Sequence, residues 1–159
     1  MTVSDPVPAT GVDVTNNDII VAKGRQIQSG IQIAPTNSTD KIKFYSDDKR
    51  VARINSRGKI YARRVGQATV YGETSNGQRG YADVLVVTMN RKKLKFRMYD
   101  TETLRVDEIS KGVTWYSKNP LVASVDQSGK VTGRRRGTTT IYAKVRGLRL
   151  SCKVRVKGL

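Results

Sequence analysis

Histidine is absent from this 159-residue chain, and cysteine occurs once, at Cys152. Without histidine there is no imidazole to act as a base or to complete a zinc site, and a lone thiol forms no internal disulfide. Carboxylates are scarce as well, with 13 Asp and Glu against 30 Lys and Arg. No nucleophile has a base beside it, no carboxylate pair is convincing, and no glycine-rich loop would cradle a phosphate, so the chain reads as non-enzymatic and without a cofactor, metal or small-molecule substrate. No apolar run approaches the roughly 18 residues a membrane helix needs. The N-terminus shows neither the basic start nor the apolar stretch of a signal peptide, so no export signal and no membrane contact are expected. Two of the four prolines lie in the opening "MTVSDPVPATG", read as a flexible arm over residues 1–10.

What the chain does have is a repeat. At a shift of 71 positions, residues 42–74 align with 113–145 without a gap, matching Tyr45 with Tyr116, Val51 with Val122, Gly58 with Gly129, Arg63 with Arg134, Gly66 with Gly137 and Tyr71 with Tyr142. Where identity fails, character is kept: Phe44 becomes Trp115 and Ile60 becomes Val131. The periodicity inside each copy is two, the mark of half-buried strands. In "LRLSCKVRVK", Leu148, Leu150, Cys152, Val154 and Val156 alternate with polar residues, and "ADVLVV" places Ala82, Val84 and Val86 on one face. Further short strands read from "IQIA", "KIKFYS", "RVARI", "GKIYA" and "ATVYGE", separated by turn signals such as "SRG" and "SNGQRG". Nothing longer than a turn reads as helix. The pattern predicts an all-β antiparallel sandwich fold in two domains, residues 11–88 and 89–159, joined near residues 88–91.

The second copy, "VTWYSKNPLVASVDQSGKVTGRRRGTTTIYAKV", resembles the bacterial immunoglobulin-like domain of group 2, the repeat also found in invasin and intimin. That family's pattern has an aromatic and serines, Asn-Pro, a Val-Ala-Val stretch, a Gly-Lys-Val turn and a Gly-Thr-Ala-Thr-Ile strand, which this copy follows closely in "WYS", "NP", "VASV", "GKV" and "GTTTI". The first copy follows more loosely, with Phe44 in place of the tryptophan and no Asn-Pro, and the upstream part of the pattern is shortened in the second copy. The resemblance, over residues 11–159, implies two tandem immunoglobulin-like sandwiches. It is uninformative for function, because such domains are grafted onto adhesins, polysaccharide-binding proteins and phage virion proteins alike.

Charge is the remaining signal. Residues 1–88 hold 12 Lys and Arg against 8 Asp and Glu, whereas residues 89–159 hold 18 against 5. Arg63 and Arg64 in the first copy, and Arg134, Arg135 and Arg136 in the second, fall at a corner between strands where long side chains reach water. With Arg149, Lys153 and Arg155 they are expected to form a basic surface for an acidic partner, mainly on the second domain. The favoured setting is a bacteriophage virion, as a capsid decoration, head-fibre or tail protein assembled in the host cytoplasm and contacting capsid or tail subunits in many symmetric copies. The alternative is a fragment of a cell-surface adhesin or carbohydrate-associated module on the bacterial surface. Weak, salt-dependent binding to polyanions follows from a net charge of +17 in either case. Single-strand readers add exposed aromatics, but Trp115, Tyr45 and Tyr116 are expected in the core or at its edge. Cys152 is expected as a small buried hydrophobe, Asp47 and Asp48 as a solvated turn, and the "NST" at Asn37 as a pattern without consequence.

Overall fold

The computed structural model describes residues 5–159, and among them every regular element is a β-strand. The chain divides into two compact units, residues 1–86 and 87–159. In the first unit the strands are β1 (Gly11–Val14), β2 (Asp18–Ala22), β3 (Gln26–Gln28), β4 (Ile31–Ala34), β5 (Ile42–Ser46), β6 (Ala52–Ile54), β7 (Lys59–Ala62), β8 (Gly66–Thr74) and β9 (Arg79–Val87). The second unit has β10 (Lys93–Arg97), β11 (Thr101–Thr103), β12 (Thr114–Ser117), β13 (Ala123–Val125), β14 (Lys130–Gly133), β15 (Gly137–Val145) and β16 (Leu148–Lys157).

Each unit is built from a four-stranded and a three-stranded sheet. The first has the orders β2-β9-β8-β5 and β3-β7-β6, and the second has β10-β16-β15-β12 and β11-β14-β13. The two sets correspond strand for strand; the first unit adds the antiparallel pair β1-β4, which the shortened upstream segment of the second leaves no room for. The β10–β16 pairing departs from the all-antiparallel expectation: β10 runs parallel to β16, from Lys93 opposite Lys153 to Arg97 opposite Lys157. A parallel pair needs a long crossover between its strands, and here the whole β11–β15 segment supplies it.

The alternation read from the sequence sorts side chains as period two requires. Leu150, Cys152, Val154 and Val156 of β16 are buried, as are Leu94 and Phe96 of β10, while the residues between them are exposed. In the first unit Ile19, Val21, Ile60, Val70, Val84 and Val86 form the centre of the core. Trp115 is 6% exposed and packs beside the turn glycine Gly129, where a Cβ would sit 3.1 Å from its ring. Gly129 has φ +85°, the left-handed region that glycine occupies without a Cβ penalty. Gly58 repeats this arrangement against Phe44, with φ +77° and 3.1 Å from an added Cβ to the ring.

Of the expected N-terminal arm, residues 1–4 lie outside the described residues, and the rest departs from a loose lead-in. The Val7 amide donates to Thr39 Oγ1 (3.0 Å), the Ala9 amide to Asp40 Oδ2 (2.7 Å) and the Thr10 amide to the Ala34 carbonyl (2.8 Å). Ala9 is buried. Because these bonds satisfy backbone groups that a free arm would leave to water, residues 7–10 are held to the segment 34–40.

Candidate polyanion-binding face

The outer face of the four-stranded sheet in the second unit gathers most of that unit's charge. Side chains two apart along a strand share a face, and paired residues across strands stand side by side. The exposed residues Lys93, Lys95 and Arg97 of β10 therefore lie opposite Lys153, Arg155 and Lys157 of β16. Arg149 of β16 pairs with Lys144 of β15. Lys118, just past β12, hydrogen-bonds through its amide to the Thr140 carbonyl (2.9 Å), and Thr140 pairs with Lys153. These nine cations share the face with Thr114, Thr138, Thr140 and Ser151 and with no carboxylate. The unit's five acids lie elsewhere: Asp100 in the turn after β10, Glu102 on the other sheet, Asp107 and Glu108 in the loop before β12, and Asp126 in the turn before β14. An open groove of about 970 Å³ is lined by Lys93, Lys95, Lys118, Thr138, Lys153 and Arg155. Among the described residues none of the nine cations is in an ion pair, whereas Arg50 pairs with Asp48 and Arg105 with Asp107.

Beside the groove stand two tyrosines. Tyr116 of β12 and Tyr142 of β15 are directly paired, their rings stack with centroids 5.0 Å apart, and the Arg149 guanidinium lies 4.5 Å above the Tyr142 ring. Tyr116 is 38% exposed and β12 is the edge strand of its sheet. The first unit has the same ladder: Tyr45 stacks on Tyr71 at 4.9 Å, Tyr81 stands 6.3 Å from Tyr71, and Arg79 lies 4.6 Å above the Tyr71 ring. The expectation that Tyr45 and Tyr116 lie with Trp115 in the core or at its edge is thus corrected: Trp115 is buried, and the two tyrosines stand on the outer face of their sheets. In "FYS" and "WYS" the two aromatics are consecutive, so burying Phe44 and Trp115 turns the tyrosines to the opposite face.

The expected basic residues do not all meet. Arg149, Lys153 and Arg155 share the face, whereas Arg134 turns toward the other sheet and donates from Nε to Ser124 Oγ (3.0 Å). Arg136 lines a recess at the end of the face with Thr138, Arg155 and Lys157. Arg135 is exposed in the corner. The corner itself is a backbone device: the Val122 carbonyl accepts from the amides of Arg134 (2.8 Å) and Arg135 (3.1 Å), and the Val51 carbonyl does the same for Arg63 (2.8 Å) and Arg64 (3.2 Å). With their amides clamped, the side chains project into water. Arg63 lies with Arg25, Arg53 and Tyr61 on the three-stranded side of the first unit, with Arg53 4.8 Å above the Tyr61 ring. Lys118 and Lys144 were not singled out from the sequence, although the strand alternation of β15 and the register of β12 carried the signal.

The remaining acids serve turns. Asp48 binds Arg50, a hydrogen bond that holds its carboxyl below the usual range, and Asp47 Oδ1 accepts from the Thr69 amide (2.8 Å). No group of three or more Cys, Asp or Glu that could hold a metal occurs among the described residues. Burial pushes the Cys152 thiol up to about 11, with nearby Arg91 opposing the shift.

Residues 8–83 match the family described as bacterial Ig-like domain (group 2), and residues 110–145 match the family described as intimin, immunoglobulin-like domain. An uncharacterized protein of Clostridium acetobutylicum is 27% identical over 173 residues, which cover 98% of this chain and 18% of that protein. Among solved structures, the C-terminal 282-residue fragment of intimin, in complex with the intimin-binding domain of the translocated intimin receptor, is similar at 18% identity and a TM-score of 0.55. That likeness covers 95% of this chain and 64% of the fragment. Domains 1–6 of the surface layer protein SbsC give a TM-score of 0.39 at 16% identity, over 98% of this chain and 29% of that one. The chain therefore spans under a fifth of the Clostridium relative and under two thirds of the intimin fragment. Its all-β fold and both family matches are immunoglobulin-like.

Proposed function

We propose that this chain is a non-enzymatic immunoglobulin-like docking module in two tandem copies, whose second copy binds an acidic partner through the outer face of its four-stranded sheet. The observation that carries this reading is a comparison of the two copies at matched register. The row Lys43, Glu73, Arg79 of the first unit corresponds to Thr114, Lys144, Arg149 of the second, and the pair Thr69, Asp83 corresponds to Thr140, Lys153. Two carboxylates on the first face are replaced by lysines on the second, while the strands and stacked tyrosines are common to both. The fold does not require the charge, so the charge is free to serve a partner. Exposed ion pairs contribute about 0–1 kcal/mol each. Docking therefore draws on many contacts or many copies and weakens as salt shortens the screening length.

The test exchanges the copies' own residues. Lys144→Glu with Lys153→Asp gives the second face the two acids of the first, at positions where that fold already tolerates them. The variant should elute from an immobilised polyanion at clearly lower salt with an unchanged circular dichroism spectrum, and Arg63→Glu with Arg64→Glu should elute close to the parent. An arginine variant that lost more than the lysine variant would assign docking to the first unit. For the setting, a bacteriophage virion suits a module whose weak contacts are multiplied on a repetitive shell. A segment of a bacterial surface protein is the setting that the likeness to the intimin fragment supports, and the much longer Clostridium relative is an example of such a sequence within a larger chain. Antibody labelling of intact cells against mass spectrometry of purified particles separates the two.

A further inference from the structure

We infer that the acidic partner of this face is a single-stranded nucleic acid, an inference that rests on the docking role proposed above. The face is made of donors: six lysines, three arginines and the hydroxyls of Thr138 and Thr140, with no carboxylate among them. A neutral glycan presents hydroxyls that need acceptors as much as donors, and this surface offers few. An acidic protein surface fits poorly for a different reason. Lysine is depleted at protein–protein interfaces, which are built around a desolvated apolar or aromatic centre. Here lysines outnumber arginines two to one, and the groove lined by Lys93, Lys95, Lys118, Lys153 and Arg155 is open. A phosphodiester chain is acceptor-only and carries one charge per unit, which is the chemistry this groove receives.

The tyrosines decide between single and double strands. The groove row Lys118, Thr140, Lys153, Lys93 is adjacent to the row Tyr116, Tyr142, Ser151. Residues two apart along a strand are separated by about 7 Å, so a phosphate in the groove leaves its own base within reach of the tyrosine row. Tyr142 stacks on Tyr116 and has the Arg149 guanidinium 4.5 Å from its ring centre, and Tyr116 stands on β12, the edge strand of its sheet. An unpaired base extends this stack from Tyr116. A basic groove with an aromatic beside it is the combination single-strand binders use. A duplex keeps its bases stacked on each other and would meet this broad face with phosphates alone, leaving the tyrosines idle.

The experiment measures fluorescence anisotropy of a labelled oligothymidylate of about 20 nucleotides with the full chain, against a duplex of the same length and against polyglutamate of matched charge. The oligothymidylate should bind at least about tenfold more tightly than either, with log affinity falling against log salt at a slope of about −3.5 if the five groove cations each meet a phosphate. Tyr116→Ala should weaken oligothymidylate binding about tenfold, the loss of one stacked base, and leave polyglutamate binding unchanged. Tyr116→Leu, which keeps an apolar contact with Tyr142, reads the same change should the alanine variant fail to fold. Equal binding of the three probes, with both Tyr116 variants silent, overturns the nucleic-acid assignment and leaves the docking role standing. If Lys144→Glu with Lys153→Asp weakens none of the three probes, the docking role itself falls.

Discussion

Removing the Trp115 side chain tests whether the second unit is held together as its burial pattern says. A buried tryptophan withdraws about 150–250 Å² from water. At about 25 cal/mol per Å² this corresponds to about 4–6 kcal/mol, an upper bound because the unfolded chain already hides part of that area. Alanine recovers a little, and the cavity left behind adds to the cost, so Trp115→Ala should destabilise the unit by about 3–5 kcal/mol. The substitution is clean in one respect. Gln127 binds the backbone of residue 115 on both sides, accepting from its amide (3.1 Å) and donating to its carbonyl (2.9 Å), so the strand keeps its tether when the ring is gone. Hydrogen exchange read by mass spectrometry follows the two units separately in the intact chain. Amides of β14, β15 and β16 should lose protection by that amount while those of β7, β8 and β9 do not move. Small domains have only about 5–15 kcal/mol in total, so the alanine variant could unfold the unit outright. Trp115→Phe covers that outcome, because Phe44 already fills the matched position of the first unit, and its cost should be about 1–2 kcal/mol. A loss under about 1 kcal/mol for the alanine variant, or one confined to β12, would refute the assignment of Trp115 to the centre of the core.

Two further outcomes follow from particular groups. The Cys152 thiol, pushed up to about 11 by burial, should resist alkylation at pH 8 in the native protein and react once denatured; rapid native labelling would mean that β16 opens. Asp126 accepts from the Ser128 hydroxyl and amide and from the Lys130 amide, with the Ser128 hydroxyl the largest influence, and these bonds lower its pKa from 3.8. A depressed folded-state pKa contributes stability that is present above about pH 4 and is lost as pH falls through the folded value. Acid titration should therefore loosen the second unit's turn. Asp126→Asn should remove that pH dependence while keeping the turn, since Asn55 makes the equivalent bonds to the Arg57 and Lys59 amides in the first unit. An unaltered acid response in the asparagine variant would refute the attribution.

The strands were legible because period-two alternation reports burial directly, as β16 shows along its length. The β10–β16 pairing was not, since nothing in "KKLKFRM" says whether its neighbour runs with it or against it. The site was legible in charge and illegible in geometry. A run such as Arg134-Arg135-Arg136 reads as one patch in sequence. At a corner whose backbone is clamped to the Val122 carbonyl, consecutive side chains diverge, so Arg134 reaches Ser124 while Arg136 lies near Arg155. The cations that do converge are far apart in sequence: Lys93, Lys118 and Lys153 meet only because β10, β15 and β16 are neighbours and the chain turns past β12. For the tyrosines the two sequence signals conflict: aromaticity favours the core, but the residue next to a buried Trp115 in a strand has only the other face to occupy.

Having two copies of one fold in a single chain separates what the architecture needs from what is added to it. The turn glycines Gly58 and Gly129, the ring each would strike with a Cβ, the clamped arginine corner and the stacked tyrosine pair occur in both units, and each has a structural reason to recur. A tyrosine pair across two strands stabilises the sheet by itself, so its presence alone says nothing about a ligand. The charge on the surrounding positions behaves differently. On the first face Lys43, Glu73 and Arg79 alternate in sign, and Asp83 accepts a hydrogen bond from the Thr69 hydroxyl at 2.8 Å. On the second, the matched positions keep no acid, and like charges stand side by side across β10, β15 and β16. Like charges directly opposite one another in a sheet are destabilising. A surface that carries this cost on one copy, where the other shows how the same fold avoids it, is what the proposed docking would account for, because a bound anion relieves the repulsion.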